Sequence, residues 1–162
     1  MNKRNKISTI VFSVYILLSF YVFGGGIVNS LVAYPTWRAV GANEFPAFHQ
    51  IDSSRIIPLF VVFVLLSFIA LLLLFWYRPL IIPKNLLWGA LLLQVISIVS
   101  TILIQVPIQI ELDKRFSMEL IDRLISTDFI YRKIPMILLA IINFIMLFKV
   151  VQLSISKSSM PK

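Results

Sequence analysis

The sequence predicts an all-α integral membrane protein: a four-helix bundle with a structured first loop and a short amphipathic helix between spans 3 and 4. Three observations predict it. Four apolar runs interrupt the 162 residues, at about 7–33, 56–77, 85–110 and 134–155, in a single membrane domain. The chain is 59% hydrophobic and only 14% charged, whereas an ordinary soluble domain carries about 25% charged residues. Apart from Lys149 in the fourth run, charge is confined to the ends of the chain and the connections between runs.

A span needs about 20 mostly apolar residues to cross a hydrocarbon layer of about 30 Å. The runs Ile7–Ala33, Ile56–Tyr77 and Asn85–Ile110 hold no charge. The fourth, Ile134–Phe148, is short between Lys133 and Lys149. It reaches span length if Lys149 snorkels and the helix continues to about Ile155. Backbone groups in hydrocarbon must bond internally, and no alternation suggests a barrel, so the runs are helices. Lys3, Arg4 and Lys6 before the first run evoke a signal peptide, but the uncharged stretch far exceeds a signal core of about 7–15 residues. The residues after Leu153, rich in Ser and Lys, predict no effector domain. With no cysteine, disulfides and thiol chemistry are excluded.

Four spans place both termini and the connection Arg78–Lys84 on one face. That face collects Lys3, Arg4, Lys6, Arg78, Lys84, Lys149, Lys157 and Lys162 and no acid. The opposite face carries Arg38, Arg55, Lys114, Arg115, Arg123, Arg132 and Lys133 together with every acid of the chain: Glu44, Asp52, Glu111, Asp113, Glu119, Asp122 and Asp128. The net charge of +8 therefore belongs to the terminal face, where anionic lipid attracts it, and a nucleic-acid partner is not expected. The basic flank of the first span places both termini in the cytoplasm of a bacterial inner membrane.

Chemistry that needs a carboxylate is then confined to the acid-bearing face. Its first loop, Tyr34 to Arg55, is rich in rings and Pro. It reads either as an aromatic belt at the interface or as a cover over the bundle mouth. The second, Pro107 to Lys133, places Phe116, Leu120, Ile121, Leu124 and Ile125 at helical spacing. That pattern predicts about three turns of amphipathic helix lying in the interface plane, with Ser117 as its N-cap and Glu119 in its first turn. Gln94, Ser97, Thr101 and Gln105 form a polar stripe on the third span, ending near Gln109. Such a stripe either bonds across helices or lines a cavity. Asn143 is a candidate partner for Gln94. Gly24, Gly25 and Gly26 suggest tight packing, or a helix irregularity beside Asn29 and Ser30.

His49 is the only histidine and the one side chain whose ordinary pKa lies near neutrality. Asp52, three residues on, is placed to orient it as a candidate base. A site at the outer mouth would be walled by Trp37, Thr101, Gln105 and Gln109. Arg38, Arg55 or Arg132 would meet developing negative charge. One His with a few carboxylates is poor in nitrogen ligands, so no metal is expected, and no cofactor motif is present. No inverted repeat or pair of broken helices points to a transporter.

The segments YPTW…EF..FH, WYRP and T…QVPIQIEL, with a downstream YR, resemble the anthrone-oxygenase-like group of small four-helix membrane proteins. The resemblance covers roughly Tyr34 to Arg132. It implies a four-helix membrane bundle whose fungal relatives oxidise polyketide anthrones with oxygen, without bound metal or flavin. It also implies functional positions at His49, Thr101, Pro107 and Arg132, with Gln109 where many relatives carry Asn. The oxygenase relatives use more than one histidine; this chain has one. The expected roles are therefore a binder of a hydrophobic small molecule or lipid, or an accessory membrane subunit in a homo- or hetero-oligomer. The alternative is a cofactor-independent oxygenase-like enzyme with His49 as proton acceptor.

Overall fold

The computed structural model describes residues 3–158; Ser159 and Lys162 of the polar tail lie outside the described residues. Four long helices account for nearly all of the rest: α1 (Lys3–Ala39), α2 (Phe45–Tyr77), α3 (Lys84–Leu112) and α4 (Met118–Ile155, continuing to Ser158). Each contains a window of mean hydropathy between 2.0 and 3.1 and is long and apolar enough to cross a membrane. The outward faces are apolar: Leu17, Leu66, Leu103 and Phe144 are all exposed, Leu103 by 69%. The interior holds Ser, Gln, Asn, His, Asp and Arg. That inside-out distribution suits lipid and would be untenable in water.

The helices run alternately up and down, each packing on its chain neighbours, and α1 also meets α4. One apolar core lies at the terminal end, where Phe12 and Tyr15 meet Leu71, Leu74, Ile82, Leu87 and Met146. A second lies at the acid-bearing end, where Tyr34, Trp37 and Phe45 meet Ile108, Leu112, Ile121 and Leu124. A hydrogen-bonded chain ties α1 to α4 just beyond the first core. Tyr15 donates to Asn143 Oδ1 at 2.8 Å, and Asn143 Nδ2 donates to Ser19 Oγ at 2.5 Å. Asn143 is thus committed to α1 and is not the partner of Gln94.

Two expectations change at the acid-bearing end. The first loop is mostly helix: α1 runs on to Ala39 and α2 begins at Phe45, with Pro46 in its first turn, where a missing N–H costs nothing. Only Val40–Glu44 connects them. The amphipathic helix exists as drawn, Met118–Asp128, with Ser117 Oγ accepting from the Leu120 N–H at 3.3 Å. It does not lie apart in the interface plane. It continues without a break into the fourth span, and its Ile121 and Leu124 seal the outer core. Burying that face against the rings of α1 and α2 outweighs leaving it on headgroups.

Every long helix contains one five-residue π-helical segment: Asn29–Ala33, Ile57–Val61, Thr101–Gln105 and Phe129–Lys133. In α1, α3 and α4 a proline follows two residues later, at Pro35, Pro107 and Pro135. A proline ring collides with the carbonyl four residues back and cannot bond it. The wider π turn makes room for it. The residue before each of these prolines donates five residues back, from Tyr34, Val106 and Ile134 to the carbonyls of Asn29, Thr101 and Phe129. The carbonyl that Pro135 leaves free, that of Tyr131, accepts from Ser100 Oγ at 3.2 Å. The first and second halves share this layout at an offset of 72 residues, Asn29 against Thr101 and Ile57 against Phe129. The glycine triplet stays α-helical; the irregularity begins three residues beyond it, at Asn29.

Candidate functional site

Between the two cores lies a cavity of about 420 Å³. All four π segments contribute to its wall, through Asn29, Phe60, Thr101, Gln105 and Arg132 among others. π turns interrupt regular side-chain spacing and recur at functional sites.

The stripe on α3 forms one side. Gln94, Ser97, Thr101, Gln105 and Gln109 all line the cavity, and Asp113 extends the row by one further turn. The two hydroxyls bond their own helix: Ser97 donates to the Leu93 carbonyl at 3.1 Å and Thr101 to the Ser97 carbonyl at 2.7 Å. The amides differ. Gln105 is 2% exposed, and neither its Oε1 nor its Nε2 has a hydrogen-bond partner among the described residues. Gln94 Oε1 is likewise unpaired. A buried amide normally finds partners, because leaving one unpaired costs about 1–3 kcal/mol.

His49 is fully buried behind this wall. Phe45 stacks on it at 5.5 Å and Trp37 meets it edge-on at 4.8 Å. Its Nδ1 lies 2.6 Å from Asp113 Oδ1 and its Nε2 lies 2.6 Å from Gln109 Oε1. Gln50 Nε2 adds a bond to the Asp113 backbone carbonyl at 2.9 Å. Asp113 therefore orients His49, and the expected role of Asp52 is corrected. On a helix, a carboxylate three residues on reaches along its own helix toward the cavity, where Asp52 stands. The ring nitrogens point across to α3. His49 does not itself line the cavity; Gln109 and Asp113 stand between.

Arg132 lines the cavity but is bound. Its Nη1 sits 3.1 Å from Asp128 Oδ1 and donates to the Tyr34 hydroxyl at 3.3 Å. Ser30 Oγ donates to Asp128 Oδ2 at 2.5 Å. The four side chains form a buried bridge between α1 and α4. Arg38 is on the outside, paired with Asp122 at 2.5 Å with both partners about half exposed, and does not line the cavity. Trp37, Thr101, Gln105 and Gln109 line the cavity. Sequence reasoning missed Asp113 as the histidine's partner, Tyr34 as a wall residue, and the Ser30–Asp128 bond. Asp113 was within reach: it continues the 105, 109 spacing by another four.

The cavity also has a side opening. The bodies of α2 and α3 pack together along Val62–Tyr77 and Lys84–Ser100. Nearer the acid-bearing end its rim is formed by Ile57, Val61 and Leu65 on α2 and by Ile102, Val106 and Ile110 on α3. All six line the cavity and are exposed. No family model, curated protein or solved structure matches this chain.

Proposed function

We propose that the protein binds a largely apolar small molecule that enters from the bilayer between α2 and α3 and presents a neutral polar end to the amides of α3. The observation that carries this reading is Gln105, buried on the cavity wall with both amide atoms unpaired. A ligand oxygen would satisfy the donor, and a ligand hydroxyl the acceptor. The charges on the wall argue for neutrality. The wall carries two acids, Asp52 and Asp113, and its cation Arg132 is held by Asp128. A carboxylate or phosphate head would meet repulsion without a free counter-ion.

The charge pattern supports an orientation with both termini cytoplasmic, in a bacterial inner membrane. The acid-bearing end of the bundle then faces outward. The experiment is native purification followed by mass spectrometry of co-purified small molecules, comparing wild type with Gln105→Met and His49→Ala. A neutral apolar compound retained by wild type and lost in Gln105→Met is the expected result. Equal retention by all three would refute the site.

A second reading follows from the resemblance to the anthrone-oxygenase-like group, namely a cofactor-independent oxygenase-like enzyme. The Asp113–His49–Gln109 chain is the observation in its favour, since an oriented imidazole is the usual general base. Proton transfer from a ligand would require Gln109 to move aside, because it occupies Nε2. His49 thus acts at one remove from the cavity.

A further inference from the structure

The hydrogen-bond inventory around His49 has a consequence for the choice of ligand. Asp113 as a carboxylate can only accept, so Nδ1 carries a proton whatever the state of the ring. Nε2 faces the amide of Gln109. When His49 holds two protons, Nε2–H donates to Gln109 Oε1, which lies 2.6 Å away. The amide's other end, its NH2, is then the end turned away from His49. When His49 holds one proton, Nε2 is a lone pair and needs a donor. Turning the Gln109 amide over supplies its N–H to His49 and leaves the carbonyl on the other side. The two ends of an amide are nearly the same size, so the reversal needs no repacking. Gln109 lines the cavity, so the reversal exchanges a donor for an acceptor on its wall.

We propose that Gln109 is a specificity-determining residue of this cavity. Its amide orientation, set by the proton count on His49, makes the site prefer a carbonyl oxygen when His49 is protonated and a hydroxyl when it is neutral. The proposal rests on the ligand-binding reading above and names the ligand class: neutral, apolar molecules whose polar end is a ketone or a hydroxyl.

Few other charged groups face this pair. From α3 there is Asp113, on Nδ1. On the histidine's own helix Asp52 stands on the cavity wall. From α1 and α4, Arg38 and Asp122 neutralise each other. The same two helices contribute Tyr34 and the bound pair Arg132–Asp128. Phe45 and Trp37 close the remaining sides with rings.

The test uses the full chain in lipid nanodiscs with a matched pair of probes, 1-tetralone (ketone) and 1-naphthol (hydroxyl). Affinities are measured calorimetrically at about pH 5.5 and about pH 8, across the range in which imidazole ordinarily titrates. The expected result is that the naphthol-to-tetralone affinity ratio rises about tenfold with pH, the value of one hydrogen bond of about 1.4 kcal/mol. His49→Gln and Gln109→Leu should each bind both probes with a ratio that does not move with pH. Because His49 is the only histidine, imidazole-¹⁵N spectra of the wild type report its proton count without a variant. The ratio should follow that titration. Probes that bind with a pH-independent ratio overturn the switch and leave the cavity reading standing. So does a ratio whose shift persists in His49→Gln, which would assign it to Asp52 or Asp113. Binding of neither probe at either pH overturns both readings.

Discussion

Replacing Gln105 by Met separates a polar group kept for a ligand from one kept for the fold. Met nearly conserves length and volume and removes both amide atoms. In the folded bundle those atoms have no partner among the described residues, so their removal breaks no bond and relieves a desolvation cost. In water-soluble cores that cost is about 1–3 kcal/mol. In membranes, polar interactions average only about 0.6 kcal/mol because the unfolded helices also find partners. The expected change is therefore a gain of about 0.5–1 kcal/mol. Asn143→Leu is the contrast. Asn143 is equally buried but bonds both Tyr15 and Ser19, and its loss leaves the Tyr15 hydroxyl unpaired. At about 0.6 kcal/mol per bond plus that orphan, it should cost about 1–2 kcal/mol. The assay is reversible unfolding in mixed dodecylmaltoside–SDS micelles, read by circular dichroism. The two variants should move in opposite directions, about 2 kcal/mol apart. A loss of stability in Gln105→Met comparable to that of Asn143→Leu would refute the reasoning, since it would make Gln105 a structural residue.

Three further outcomes follow from named contacts. Arg132→Met or Asp128→Asn alone leaves a buried charge uncompensated and should cost about 3–5 kcal/mol, whereas the double variant should cost less than their sum; the same unfolding assay reads the coupling. Asp113→Leu should loosen the acid-bearing end of α2 more than Asp52→Leu, because only Asp113 meets His49; faster amide hydrogen exchange over Phe45–Ile56 in Asp113→Leu but not in Asp52→Leu is the check. Gly24→Ala should be tolerated, since a Cβ there meets nothing within 4 Å, whereas a Cβ at Gly25 lies 3.3 Å from the Phe60 ring and Gly25→Ala should lower the unfolding midpoint unless that ring shifts.

The sequence by itself determined the four spans, their order and the segregation of charge, because hydrocarbon allows few solutions for a backbone and none for unpaired charge. It also determined the Ser117 cap and the apolar face of Met118–Asp128, both local matters of spacing. The stripe from Gln94 to Gln109 was legible as a stripe, since helical spacing survives translation into three dimensions. What it faced was not legible. Whether a buried amide is paired depends on which helix stands opposite, and Asn143 turned to Tyr15 and Ser19 while Gln105 was left to the cavity. The partner of His49 likewise came from 64 residues away and not from three, because two helix ends had to meet before Asp113 could reach it. The prolines at 35, 107 and 135 were visible in the chain. That each would be relieved by a π turn, and that all the π turns would open onto one cavity, only the packed bundle decided.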